Sequence, residues 1–144
     1  MSDTAENTVA YPSPKVLGGL IAYLQVDGAL KAAEFYARAF GAEQVFSYPP
    51  DENGRTMHVH LYINGSSIML SDAYPEHGQA HQQPQGYTLQ LLLGDEIDVW
   101  WKRAVDAGCE VVMPLDVMFW GDRWGQLRDP FGIAWAMNSP VKQA

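Results

Sequence analysis

The 144-residue chain is poor in cysteine, poor in basic residues and free of long apolar runs. One cysteine, Cys109, leaves no intrachain disulfide to form, which suits a reducing compartment. Nothing close to it in sequence would activate the thiol as a nucleophile. Nine Lys and Arg stand against seventeen Asp and Glu, a formal charge of −8, and that sign repels phosphate backbones and anionic lipid surfaces. No segment reaches the roughly 20 apolar residues that span a bilayer, and residues 1–14 lack the basic start and apolar run of a signal peptide. The expected partners therefore include neither nucleic acid nor membrane, and the expected location is the cytoplasm. A Gly-x-Ser-x-Gly elbow and a phosphate-binding glycine loop are missing as well, which removes the usual sequence signs of a serine nucleophile or a nucleotide site.

What is present is 47% apolar and 12% aromatic residues, enough for the core of one domain. Residues 1–16 read as a flexible tail, since the polar stretch up to Pro14 has no period and too little apolar surface to order itself. Residues 17–26 alternate: Leu20, Ala22, Leu24 and Val26 share one face, and Ile21, Tyr23 and Gln25 the other, as in a strand. Asp27 is placed to cap the helix that follows, whose apolar positions Leu30, Ala33, Phe35, Ala37 and Phe40 have helical spacing before a stop at Gly41. Strands are then predicted over 43–48, 57–63 and 66–71, the last two joined by Asn64-Gly65, a two-residue hairpin signal.

The pattern recurs. A strand over 87–93, a helix opened by Asp95 and running to Ala107, a stop at Gly108, and strands near 110–117, 125–128 and 133–137 give a second βαβββ unit. Residues 17–139 thus divide into module one (17–72), a linker rich in Pro, Gly, Gln and His (73–85) and module two (86–139), with a short tail at 140–144. Two similar units in a short chain suggest internal duplication. The fold class is α+β: two βαβββ modules forming a cupped mixed sheet, each with a helix over one face and a cavity on the other.

The run Ala32-Ala33-Glu34-Phe35-Tyr36-Ala37-Arg38-Ala39-Phe40-Gly41-Ala42 and the later Asp129-Pro130-Phe131-Gly132-Ile133-Ala134-Trp135 resemble the vicinal-oxygen-chelate superfamily of glyoxalases, bleomycin-resistance proteins and extradiol dioxygenases. The run Phe119-Trp120-Gly121-Asp122-Arg123-Trp124-Gly125 is similar to its PhnB-like branch. The resemblance implies an open, cupped sheet completed by a second chain in a homodimer, with a ligand site inside. Relatives include metal-dependent lyases, isomerases and dioxygenases as well as metal-free proteins that sequester antibiotics, so fold alone leaves activity open.

Metal-using relatives place one His, Glu or Gln ligand on the first and fourth strand of each module. Strand parity puts those places at Ile21, Met69, Thr88 and Ala136, a set with no imidazole or carboxylate for a divalent ion. No metal and no cofactor are expected. His58 and His60, two apart on one strand, offer a relocated metal site with Gln25 or Gln90, or else neutral polar lining. The cup is expected to present Tyr23, Gln25, His58, His60, Tyr62, Met69, Ser71, Thr88, Gln90 and Leu92, a mixture suited to a small organic ligand. Trp120 and Trp124 are placed to stack on that ligand and Arg123 to bind a carboxylate on it, or else the run is a strand-to-strand corner whose tryptophans complete the core and whose Asp122 and Arg123 brace the turn. The expected function is binding of a small molecule in the cup of a dimer. The alternatives are a metal-dependent lyase, isomerase or dioxygenase using His58 and His60, and a metal-free enzyme with a histidine base.

Overall fold

The computed structural model describes residues 14–140. The polar stretch before Pro14 and residues 141–144 lie outside the described residues. Module one runs β1 (Ala22–Val26), α1 (Ala29–Phe40), β2 (Glu43–Ser47), β3 (Val59–Ile63) and β4 (Ser66–Asp72). A 3-10 turn at Pro75–His77 lies in the linker. Module two runs β5 (Leu89–Leu92), α2 (Ile97–Ala107), β6 (Glu110–Val117), β7 (Asp122–Arg128) and β8 (Ala134–Pro140). The two sheets have the same order, β1-β4-β3-β2 and β5-β8-β7-β6, with the first pair parallel and the others antiparallel. This is the expected α+β fold of two βαβββ modules.

Alternation sets the faces. Leu24, Val26, Val59, Leu61, Ile68 and Leu70 are buried beneath α1, whose Ala29, Ala32, Ala33 and Ala39 allow the helix to lie close on the sheet. The larger α1 side chains reach into module two: the Trp135 ring centroid lies 4.3 Å from that of Phe40 and 5.3 Å from that of Tyr36. The modules are thus joined through helices and aromatic packing, with no ladder between the sheets among the described residues. At the hairpin, Asn64 Nδ2 donates to Leu92 O at 3.0 Å. Asn64 and Gly65 both have positive φ, as a type I′ turn requires.

Several boundaries differ from the sequence reading. The first strand begins at Ala22, because the chain bends at Gly18–Leu20; Leu20 points to solvent, 98% exposed. Asp27 does not cap α1. Gly28 occupies the N-cap with φ 103°, and the carboxylate that accepts from Gly28 N and Ala29 N, at 2.8 and 3.1 Å, belongs to Asp72 at the end of β4. The second helix starts at Ile97, with Glu96 rather than Asp95 at its N-cap. β7 extends upstream to Asp122 and β8 downstream to Pro140. Gly125 of β7 is dictated by packing: a Cβ there would lie 2.6 Å from the Trp101 ring.

Candidate functional site

The face of sheet one away from α1 carries most of the predicted residues. Register aligns Tyr23, Met69, His60 and Phe46 across the four strands in one row. Gln25 and Ser71 follow in the next row. Tyr23, Gln25, Met57 and Ser71 form the floor of a cavity of about 570 Å³, and linker residues Tyr74, Gly78, Gln79, Ala80 and Gln82 wall it. That volume suits a small organic molecule. No charged side chain among the described residues lines it.

The linker is held there by specific contacts. Tyr74 and Gln79 exchange backbone hydrogen bonds of 2.8 and 3.0 Å, closing a tight turn. Arg55 donates to both carboxylate oxygens of Glu76, at 3.0 and 2.6 Å, and its guanidinium lies 4.4 Å from the centre of the Tyr74 ring. The hydrogen bonds from Arg55 hold the Glu76 carboxyl down to about 2.

Tyr23 joins the cavity to the histidines. Its hydroxyl lies 3.0 Å from His58 Nδ1 and 3.2 Å from Met57 O, and burial, then Tyr48, raises its pKa, so the phenol stays protonated. His60 is 2% exposed, with Nε2 2.7 Å from Ser67 Oγ, which accepts from Leu17 N at 2.8 Å. Burial lowers the pKa of both histidines, and His60 lowers that of His58 further. Their folded pKa values lie below the unfolded value of about 6.5, so the unfolded chain binds more protons. Their contribution to stability is complete above about pH 6.5 and is lost as pH falls through the folded values. Urea midpoints should accordingly drop between about pH 7.5 and about pH 5.5, and the drop should be smaller in the His58→Gln/His60→Gln double variant. An equal drop in both proteins would remove the histidines from the account.

Module two holds the remaining residues apart from this cavity. Gln90 is level with Ala136, and Trp124 Nε1 donates to Gln90 Oε1 at 3.2 Å across the strand between them. Beneath that bridge Ala136 is buried. Trp120 is 49% exposed on the β6–β7 turn, packed edge to face on Trp124. Arg123 is on the other side of its sheet. It alternates with Gly125 and Leu127 toward α2, where its guanidinium grips the Asp98 carboxylate at 2.8 and 2.6 Å. Thr88 and Gln90 line a separate cleft of about 460 Å³ between the modules, which Ser67 and Ile68 also enter.

The donors do not fit the divalent ion implied by the resemblance. Ile21 and Ala136 offer no lone pair, and Met69 and Thr88 no imidazole or carboxylate. Gln90, a residue type that could serve, is engaged by Trp124. Among the described residues no group of three or more His, Cys, Asp or Glu comes together. Cys109 is buried, and burial, then Asp129, pushes its thiol up to about 12, where it is no nucleophile at neutral pH.

Sequence reasoning missed the linker wall, because a Pro- and Gln-rich segment does not declare which face it crosses. It also missed Met57, which lines the cavity. For Arg123 the signal was available: counting back by twos from apolar Leu127 through Gly125 assigns it to the helix side.

The profile described as "Glyoxalase/Bleomycin resistance protein/Dioxygenase superfamily" matches residues 19–137. The uncharacterized protein Rv0887c of Mycobacterium tuberculosis is 38% identical over 128 residues, covering 84% of this chain and 74% of that protein. The solved structure of PA1353 from Pseudomonas aeruginosa superposes with a TM-score of 0.67 at 25% identity, covering 85% of this chain and 98% of that one. A PhnB protein from Bacillus cereus gives 0.63 at 24% identity, covering 85% and 99%.

Proposed function

Since the chain belongs to the Glyoxalase/Bleomycin resistance protein/Dioxygenase superfamily, we propose that it is a member that binds a small organic molecule without a metal ion. The observation that carries this reading is the uncharged cavity on sheet one, with Tyr23 and Gln25 on its floor and the linker as its wall. Ring faces and Met57 supply apolar contact, and amides and a protonated phenol orient a neutral ligand. A second copy is the natural cover for the open faces, where Tyr23 is 54% and Leu92 67% exposed. The cytoplasm is the location that suits the free thiol of Cys109.

The test has two arms. Protein purified from Mn-, Ni- and Zn-supplemented culture should hold far less than one ion per chain and keep its Tm in EDTA. A thermal-shift panel of neutral aromatic amides, N-acetyltyrosinamide among them, together with bleomycin, should yield a saturable rise in Tm that Tyr23→Ala and Gln25→Ala reduce. A stoichiometric ion lost in His58→Ala would instead select the metalloenzyme reading. A rise unchanged in Tyr23→Ala would move the ligand elsewhere. The His58–Tyr23 contact favours one second reading, a metal-free enzyme in which neutral His58 takes a proton through the phenol.

A further inference from the structure

The arginines of the chain are differently employed. Arg55 grips Glu76 and Asp51, and Arg123 grips Asp98. Arg128, at the end of β7, forms no ion pair among the described residues; its hydrogen bond runs from Nη1 to Gly132 O at 3.2 Å. Glu110 stands opposite it in the β6–β7 register without pairing, and the neighbouring Asp129 carboxylate is turned into the core.

The Arg128 side chain lines a cavity of about 390 Å³. Across the open face of sheet two, Ala134 pairs with Arg128, and Thr88, one residue before β5, continues the register on the other side of Ala134. Ala134, with only a methyl side chain, separates Arg128 from Thr88 in this register, and all three line the cavity. Gln126 lies one step along the same face, and Tyr87 and Pro84 close the cavity from the linker end. Among the described residues the lining thus combines one cation, neutral donors and an apolar wall.

We infer that module two carries a site of its own for small carboxylic acids, in which Arg128 receives the carboxylate, Thr88 and Gln126 donate to it, and the apolar body lies over Ala134 against Tyr87. A planar guanidinium matches a carboxylate in a bidentate pair. A single cation in a chain of net charge −8 favours a monoanion over polyanions. None of the lining residues belongs to the strands or helix of module one, so this site stands whether or not the sheet-one cavity takes its ligand.

The experiment is a titration of the full-length 15N-labelled chain with sodium benzoate, followed through backbone amide shifts. Benzamide serves as the neutral isostere, and sodium chloride matches the ionic strength. Benzoate should move the amides of Gln126, Gly132 and Ala134 saturably. Arg128→Gln should weaken that binding by about tenfold or more, the loss of a charge-assisted pair, and benzamide should be weaker than benzoate by a similar factor. Arg128→Lys should fall between parent and Arg128→Gln, and Thr88→Val should weaken binding less than Arg128→Gln. Equal benzoate affinity in Arg128→Gln, benzamide binding as tight as benzoate, or no saturable shift at these amides would overturn the assignment.

Discussion

Asp129→Ala should lower the unfolding free energy by about 3–5 kcal/mol, a large share of what a domain of this size holds. The Asp129 side chain is 4% exposed and is matched by four donors. Oδ2 accepts from the Tyr36 hydroxyl at 2.6 Å and from Trp135 Nε1 at 2.8 Å, while Oδ1 accepts from Phe131 N at 2.8 Å and Ile133 N at 3.0 Å. Burial, then Asp129 itself, raises the Tyr36 pKa well above its ordinary value, so that hydroxyl keeps its proton and donates. Truncation strands these donors in a dry interior, where each unpaired group costs about 1–3 kcal/mol.

Asp129→Asn separates charge from geometry. The amide oxygen still accepts from the turn, and Tyr36 can rotate its hydroxyl to accept from the new NH₂ group. The Trp135 indole N–H then faces another donor. Trp135→Phe should therefore cost less in the Asp129→Asn background than in the parent, a coupling read from a double-mutant cycle of urea midpoints. A loss below about 1 kcal/mol for Asp129→Ala, or strict additivity in the cycle, would contradict this account.

The same residue shows where sequence reasoning stops. Asp129-Pro130-Phe131-Gly132 is legible as a turn, and it is one: Gly132 N donates to Asp129 O at 3.0 Å. That its carboxylate also fastens module two to α1 of module one depends on a contact across 93 positions with Tyr36, which no local pattern encodes. Period-two alternation correctly separated Leu24 and Val26 from Tyr23 and Gln25, because a strand has only two faces and one is under a helix. The Gly41 stop is observed as a left-handed C-cap with φ 65°.

The site was less legible, for a topological reason. Parity within each module says which residues share a face and nothing about how the modules meet. The expectation that Tyr23, His58, Gln90 and Trp124 share one cavity assumed a common face. Packing α1 on α2 and on Trp135 instead divides the open-face residues among separate cavities within one chain. The common face was expected in the cup of a dimer, and the dimer belongs to the functional proposal and not to the fold.

Asp72→Ala should cost about 2–4 kcal/mol and should also disturb the sheet-one cavity. Oδ1 receives Gly28 N and Ala29 N at the start of α1, and Oδ2 receives Thr56 N at 2.9 Å. Gly28 has no side chain with which to cap the helix, so Asp72 supplies from β4 the acceptor and the negative charge that the helix N-terminus attracts. Thr56 is buried and its hydroxyl donates to Tyr48 O at 2.9 Å, while Met57, next in the chain, lines the cavity. Ser71, just before Asp72, lines it too. Asp72→Asn retains an acceptor for the helix but turns an N–H toward Thr56 N, and should recover part of the loss. Hydrogen exchange at Ala29 and Thr56 distinguishes the two halves of the tie: Asp72→Ala should speed both, and Asp72→Asn mainly that of Thr56. Unchanged exchange at Ala29 in Asp72→Ala would mean that the helix is held by something other than this carboxylate.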